Sequence, residues 1–319
     1  MKPRLLVTRQ VFDQTIALLS EAFDVEANQD DAPWDAGELK RRVADKQALF
    51  VTASDAIDAE LIDAAPDLRI IATGSVGYNQ IDLARCRERG IVVTNTPDVL
   101  TEATADMAWA LLMAAARRVG ESERWLRDGQ WRRWAFDQFL GQDVHGSRLG
   151  IVGMGRIGSA VARRARGFSM TVRYFNRSVA PNEAELGATR VDLPALLRES
   201  DHVVIVVPYS AQTHHLIGAA ELASMKPSAV LVNIARGGIV DDRALARALC
   251  DGRLGAAGLD VYENEPAVEP ALLSAPRVVL TPHLGSATRS TRIAMADLAA
   301  RNLCAWARSQ PLLTPVDAG

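Results

Sequence analysis

Three residues suited to acid–base and anion chemistry stand just past three successive apolar runs. They are Arg236 in NIARGG (233–238), Glu265 in LDVYENEP (259–266) and His283 in TPHLG (281–285). Together they suit hydride transfer to a carbonyl. A guanidinium grips the carboxylate of a 2-oxo acid bidentately and polarises its carbonyl. An imidazolium donates the proton that the developing alkoxide needs. A carboxylate beside the imidazole favours its protonated form. Each residue also has a plainer reading: Arg236 as a surface residue or phosphate contact, Glu265 as a solvated loop acid, His283 as a hydrogen-bonded loop histidine. Ligands of doubly wound sheets sit outside the carboxyl ends of the strands, so recurrence at three strand ends favours the chemical reading.

The anion to be held beside them is legible upstream. Residues 151–158 read IVGMGRIG, a G-x-G-x-x-G turn after an apolar run. Gly153 allows the tight turn, Gly155 lets backbone approach a pyrophosphate, and Gly158 lets the next helix pack close to its strand. N–H groups around Arg156 and Ile157 then sit at a helix N-terminus, where anions bind. A helical run (159–167) and a second strand (171–175) follow, as dinucleotide binding requires. After that strand come Asn176, Arg177 and Ser178. No carboxylate stands at 176 to repel a phosphate, Arg177 supplies charge and Ser178 a donor. The expected cofactor is therefore NADP(H) in preference to NAD(H). An Arg177 that only stacks on adenine would admit either.

These residues need a scaffold, and the chain supplies an alternating one. Strand patterns fall at 5–8, 23–27, 48–52, 68–72 and 91–94, then at 149–152, 171–175, 202–206, 229–233, 256–259 and 278–280. Helical patterns such as 82–89 and 241–250 lie between them, which implies parallel sheets covered on both faces. Residues 101–128 read as one alanine-rich helix capped by Thr101, a connector between two α/β units. Residues 286–307 read as another helix, expected to fold back on the first unit. The second unit is then an insertion, entered near residue 99 and left near 284. A cleft between two lobes is a favoured ligand site.

The bulk properties narrow the partners. A chain of 319 residues favours about two domains. A net charge of −3 without a polybasic block gives no support for nucleic acid or membrane partners. No apolar run is long enough to span a bilayer, and the first residues lack a signal-peptide pattern. Cys86, Cys250 and Cys304 form no metal or redox motif and suit a reducing cytoplasm. His214-His215 has no third metal ligand nearby in sequence, so a polar helix start is the preferred reading and no metal is expected. His202 reads as a strand-end residue. Trp125, Trp131 and Trp134 read as core or subunit-interface residues in an arm that continues through 143–148.

The chain resembles the D-isomer-specific 2-hydroxyacid dehydrogenases over essentially its whole length. The carrying segments are GSVGYNQID (74–82), TEATADMAWALL (101–112), GIVGMGRIG (150–158), NIARGGIVDD (233–242), AAGLDVYENEP (256–266) and TPHLGSAT (281–288). Within the family it is most similar to glyoxylate/hydroxypyruvate reductases, including a branch acting on 2-ketogluconate; GQDVHGSRLGIVGMGRIG (141–158) and QTHHLIG (212–218) point there. The resemblance implies an α/β fold of two doubly wound parallel-sheet domains. A Rossmann nucleotide domain (99–284) would be inserted into a flavodoxin-like substrate domain (1–98 and 285–319).

By position, the resemblance makes His283 the acid/base, Glu265 its partner and Arg236 the substrate-orienting residue. Backbone at Val76 and Gly77 would receive the substrate carboxylate, and Thr104 and Asp260 would lie beside the nicotinamide. Further cofactor contacts are expected at Val207, Pro208, Thr213, Ile234, Ala235 and Gly285. It also implies a homodimer in which Trp134 reaches the partner's active site. The expected activity is NADPH-dependent reduction of glyoxylate, hydroxypyruvate and possibly 2-ketogluconate to D-2-hydroxy acids. The alternative is a dinucleotide-sensing binding protein or corepressor on the same fold, or a dehydrogenase for another 2-hydroxy acid. The 36 residues after His283 disfavour the longer phosphoglycerate dehydrogenases, and Glu265 beside the histidine disfavours formate dehydrogenases, where Gln is expected.

Overall fold

The computed structural model describes residues 1–316, so 317–319 of the expected substrate segment lie outside the described residues. The chain divides into two compact units, one of Met1–Leu100 with the segment from Ala287 on, the other Thr101–Ser286.

In the first unit, β1 (Arg4–Val7), β2 (Asp24–Ala27), β3 (Ala48–Val51), β4 (Ile70–Thr73) and β5 (Val92–Thr94) form a parallel sheet in the order β2-β1-β3-β4-β5, the flavodoxin-like order. The central strands are short apolar runs because both faces are covered. Helices α2 (Ala36–Val43), α3 (Ala59–Asp63) and α4 (Leu83–Glu88) are N-capped by Asp35, Asp58 and Asp82. They cover one face around Leu6, Leu49, Ile62 and Ile71. The other face, with Leu5, Val7, Phe50 and Ile70, takes α1 (Asp13–Ala22) and the late helix Arg289–Ala307 through Ala296, Ala299 and Leu303. Burying each of the larger side chains contributes about 1.5–3 kcal/mol.

The second unit opens with α5 (Thr101–Ala116) and α6 (Val119–Arg127). Seven parallel strands follow: β6 (Arg148–Val152), β7 (Thr171–Phe175), β8 (Ala188–Arg190), β9 (His202–Ile205), β10 (Val230–Asn233), β11 (Ala256–Leu259) and β12 (Val278–Leu280). Their order is β12-β11-β10-β9-β6-β7-β8, a Rossmann arrangement whose direction of winding reverses between β6 and β9. Helices α5 and α7 (Arg156–Ala165) pack one face through Leu111, Leu112, Ala160 and Val161. The opposite face packs α9 (Leu193–Glu199), α10 (Ala219–Ser224) and α11 (Asp242–Cys250) through Leu197, Leu222, Leu245 and Leu249. Two short helices complete the unit, α8 (Glu183–Leu186) and α12 (Pro270–Ser274); the late helix of the first unit is α13.

Four details differ from the sequence reading. The pattern at 101–128 is two helices, not one. Gln142 N–H takes the carbonyl of Ala116 at 2.8 Å, ending α5, and Arg118 turns left-handed with φ 55°. Thr101 is the first helical residue rather than a cap. The late helix begins at Arg289, capped by Thr288. Arg148 belongs to β6, not to the arm before it. His202 opens β9 as expected and is fully buried, its Nε2 3.1 Å from the Asp143 carbonyl oxygen; burial lowers its pKa.

Candidate active site

The glycine turn lies where the winding reverses. Gly153 follows β6 with φ 106°, and a Cβ there would stand 2.9 Å from Val207, just past β9. A Cβ on Gly158 would stand 2.1 Å from the Gly153 carbonyl oxygen, so only glycine lets α7 approach its strand. At Gly155, the N-cap of α7, a Cβ would meet no heavy atom within 4 Å among the described residues. This is a cradle of backbone at a helix N-terminus, shaped for a pyrophosphate. Thr213 braces the neighbouring turn by donating to the Pro208 carbonyl at 2.9 Å.

Past β7, Asn176, Arg177 and Ser178 form a surface turn, with Arg177 and Ser178 exposed. The structure adds Arg190 of β8, which donates to the carbonyls of Asn176 (3.0 Å) and Arg177 (2.9 Å). A second guanidinium therefore flanks the turn. Sequence reading passed over it because β8 is three residues long and mostly exposed.

The three chemical residues share the second unit's carboxyl edge. Asn233 at the end of β10 accepts from Ala235 N–H and donates to the Arg236 carbonyl, which shapes the arginine loop. Burial lowers the Arg236 pKa, and the charge of Glu265 opposes that. A guanidinium stays protonated all the same. The arginine loop lies hard against the next one: a Cβ on Gly237 would stand 1.7 Å from the Tyr262 carbonyl oxygen. Tyr262 reaches the Leu259 and Thr281 carbonyls through its hydroxyl, tying β11 to β12, and burial pushes its pKa up to about 12. Tyr262 and Asn233 were not singled out in the sequence. The polar residue closing an apolar strand was the available signal for Asn233; Tyr262 offered none.

Glu265 uses both oxygens, Oε1 accepting from Tyr262 N–H at 2.9 Å and Oε2 standing 2.8 Å from His283 Nδ1. Burial pushes the Glu265 carboxyl up. The hydrogen bond and charge of His283, the Tyr262 N–H and the charge of Arg236 outweigh it, and the pKa ends below the ordinary carboxylate value. His283 has a left-handed backbone with φ 55°, unusual for a residue with a side chain. Buried Asp260 holds it there. The Asp260 carbonyl accepts from His283 N–H, and its carboxylate accepts from Thr281 Oγ1, Leu284 N–H and Gly285 N–H. Asp260, expected beside the nicotinamide, thus organises the histidine loop. Thr104 of α5 joins it: a Cβ on Gly285 would lie 3.2 Å from Asp260 Oδ2 and 3.5 Å from Thr104 Cγ2.

Val76 and Gly77 belong to the first unit, past β4. Their carbonyls are pinned by Asn95 Nδ2 at 2.8 Å and Ser75 Oγ at 2.6 Å. Trp131 and Trp134 are exposed, which excludes the core reading for both; Trp134 meets Phe136 edge-on, with ring centroids 4.6 Å apart. The structure also corrects the histidine pair. His214 and His215 do have a third ligand group nearby, Glu263, which sequence separation concealed.

Comparison with known proteins agrees with this fold. Residues 109–285 match the family model described as D-isomer specific 2-hydroxyacid dehydrogenase, NAD binding domain. A glyoxylate reductase of Thermococcus onnurineus is 49% identical over 311 residues, covering 96% of this chain and 93% of that one. One of Thermococcus kodakarensis is 50% identical at the same coverage. Among solved structures, the NADPH-dependent glyoxylate/hydroxypyruvate reductase of Sinorhizobium meliloti, in complex with NADP and malonate, superposes with a TM-score of 0.90. It is 39% identical and covers 100% of this chain and 98% of its own. No described helix is long and apolar enough to cross a membrane.

Proposed function

Because the chain belongs to the D-isomer-specific 2-hydroxyacid dehydrogenase family, and is an NAD(P)-dependent dehydrogenase of it, we propose that it reduces small 2-oxo acids to D-2-hydroxy acids with NADPH. Glyoxylate is the first substrate, hydroxypyruvate the next, and 2-ketogluconate a larger candidate. The carrying observation is the Glu265–His283 pair at 2.8 Å, on the same edge as Arg236. The curated glyoxylate reductases support the choice of substrate.

When bound, the reduced nicotinamide supplies hydride to the substrate's carbonyl carbon. Arg236 grips the carboxylate and polarises the carbonyl. Glu265 engages Nδ1 of His283, so Nε2 delivers the proton to the carbonyl oxygen as it gains charge. Val76 and Gly77 offer backbone to the carboxylate. Gly153, Gly155 and Gly158, with Arg156 and Ile157, would hold the pyrophosphate. Asn176, Arg177 and Ser178, helped by Arg190, would hold the 2′-phosphate of NADPH. Val207, Pro208 and Thr213 would border the dinucleotide, with Ile234, Ala235, Asp260, Gly285 and Thr104 toward its nicotinamide end.

The exposed Trp131, Trp134 and Phe136 support a homodimer joined through this arm, with Trp134 limiting substrate size in the partner's site. Free Cys86, Cys250 and Cys304 suit a cytoplasmic enzyme. The test is a panel of kcat/KM values for glyoxylate, hydroxypyruvate and 2-ketogluconate, each with NADPH and NADH. Turnover of glyoxylate with NADPH supports the reading. Tight NADPH binding without turnover of any 2-oxo acid would establish the dinucleotide-sensing alternative instead.

A further inference from the structure

His214 and His215 lie in the turn after β9, and Glu263 lies in the loop after β11. One ring nitrogen of each imidazole and one Glu263 carboxylate oxygen all fall within 4.8 Å of one another. His215 Nε2 and Glu263 Oε1 are 3.1 Å apart. Ligands of a tetrahedral zinc ion with bonds of 2.0–2.1 Å stand about 3.3 Å apart, so this edge already has coordination length. The two imidazoles stack with centroids 4.0 Å apart. The hydroxyl of Tyr209 lies 3.2 Å from His214 Nδ1, the kind of outer partner that orients a ligating histidine. Gly238, with φ 75°, packs against the group: a Cβ there would lie 3.1 Å from Tyr209 Cε2 and in ordinary contact with His214 Nδ1 (3.5 Å) and Glu263 Cγ (3.8 Å).

We propose that His214, His215 and Glu263 form a site for a divalent transition-metal ion of the zinc class, with water completing the coordination. Two imidazoles and one carboxylate select zinc, cobalt or nickel over magnesium and calcium, which prefer all-oxygen sets. The site is structural and takes no part in the reduction. His215 N–H donates to the Gly238 carbonyl at 2.7 Å, two residues past Arg236. Glu263 N–H donates to Asp242 at 3.1 Å, two residues before Glu265. A metal here clasps the arginine loop to the glutamate loop, and it does so whatever substrate the enzyme takes.

The experiment titrates zinc, and cobalt as a spectroscopic probe, into the metal-free full-length protein without an affinity tag. Calorimetry should give one zinc equivalent, and cobalt should give the visible absorption of a tetrahedral site. H215A and E263Q should each weaken binding by more than about 100-fold, and Y209F by about 10–100-fold. H145A, at an exposed histidine elsewhere, should change nothing. Saturating zinc should raise Tm in the wild type and not in E263Q. Circular dichroism of each metal-free variant confirms that it folds. No binding by the wild type overturns the proposal, leaving His215 and Glu263 a simple hydrogen-bonded contact. So does stoichiometric binding that survives in an H214A/H215A double variant.

Discussion

The two halves of the nucleotide-side edge are built on opposite principles. The cradle after β6 works through what is missing, since Gly158 supplies the space that a Cβ would take from the Gly153 carbonyl. The edge after β10, β11 and β12 works through what is present: Asn233, Asp260, Tyr262 and Glu265 each spend side-chain hydrogen bonds on fixing a loop. A backbone site works by shape, and at Gly153 and Gly158 it has no room for an added atom. A side-chain site separates its chemical group from its supports, so chemistry can be removed while the fold remains.

Replacing the chemical groups should therefore give the largest effect. His283→Ala should lower kcat by about 10²–10⁴-fold, the range for a general acid, with NADPH affinity and Tm little changed. A kcat within threefold of wild type would remove His283 from the proton-transfer role. Arg236→Ala should cost about 2–5 kcal/mol in kcat/KM, and Arg236→Lys should recover only part of it, lacking the planar fork. Full activity of the lysine variant would count against carboxylate gripping.

The cradle should break in the other way. Gly158→Ala forces a Cβ against backbone and should destabilise by about 1–3 kcal/mol, with loss of cofactor binding. Thermal melting beside an NADPH titration checks it, and unchanged values for both would show that the strand and helix can part cheaply. At the rim, Arg177→Ala should raise KM for NADPH by about 10–100-fold while leaving NADH nearly unaffected. Adding Arg190→Ala sharpens the comparison. Equal losses with both cofactors would mean that neither guanidinium reads the 2′-phosphate.

The smallest effect concerns pH. The folded-state pKa of Glu265 is depressed, so its contribution to stability is present above the unfolded carboxylate value and lost as pH falls through the folded one. Melting curves from pH 3 to 7 should show this slope in the wild type and a shallower one in Glu265→Gln. Identical slopes would show that the His283 contact does not stabilise the carboxylate.

Much of this was legible in the sequence because its signals are local. Apolar runs gave the strand positions, glycine spacing the cradle, and the residue following each run the chemical groups. What escaped was set by distant contacts. The break at Arg118 carries no glycine or proline; it arises because the backbone of Gln142, from beyond α6, claims the last carbonyl of α5. Asp260 read as a cofactor neighbour, yet three of its bonds go to residues 281–285. Glu263 lies 48 positions from His215, and only the parallel order of β9, β10 and β11 brings their loops together.

The late return of α13 has a consequence for biosynthesis. Leu5, Val7, Phe50 and Ile70 are made early, but of the two helices that shield them one, α13, begins only at Arg289. At about 5–20 residues per second, a ribosome needs roughly 10–40 s to travel from the end of the first unit's opening segment to that helix. During that interval this face of the first sheet is covered by α1 alone, and the part that α13 will occupy stays open. The nascent chain's period of greatest stickiness is therefore fixed by the order of its segments rather than by the strength of any contact.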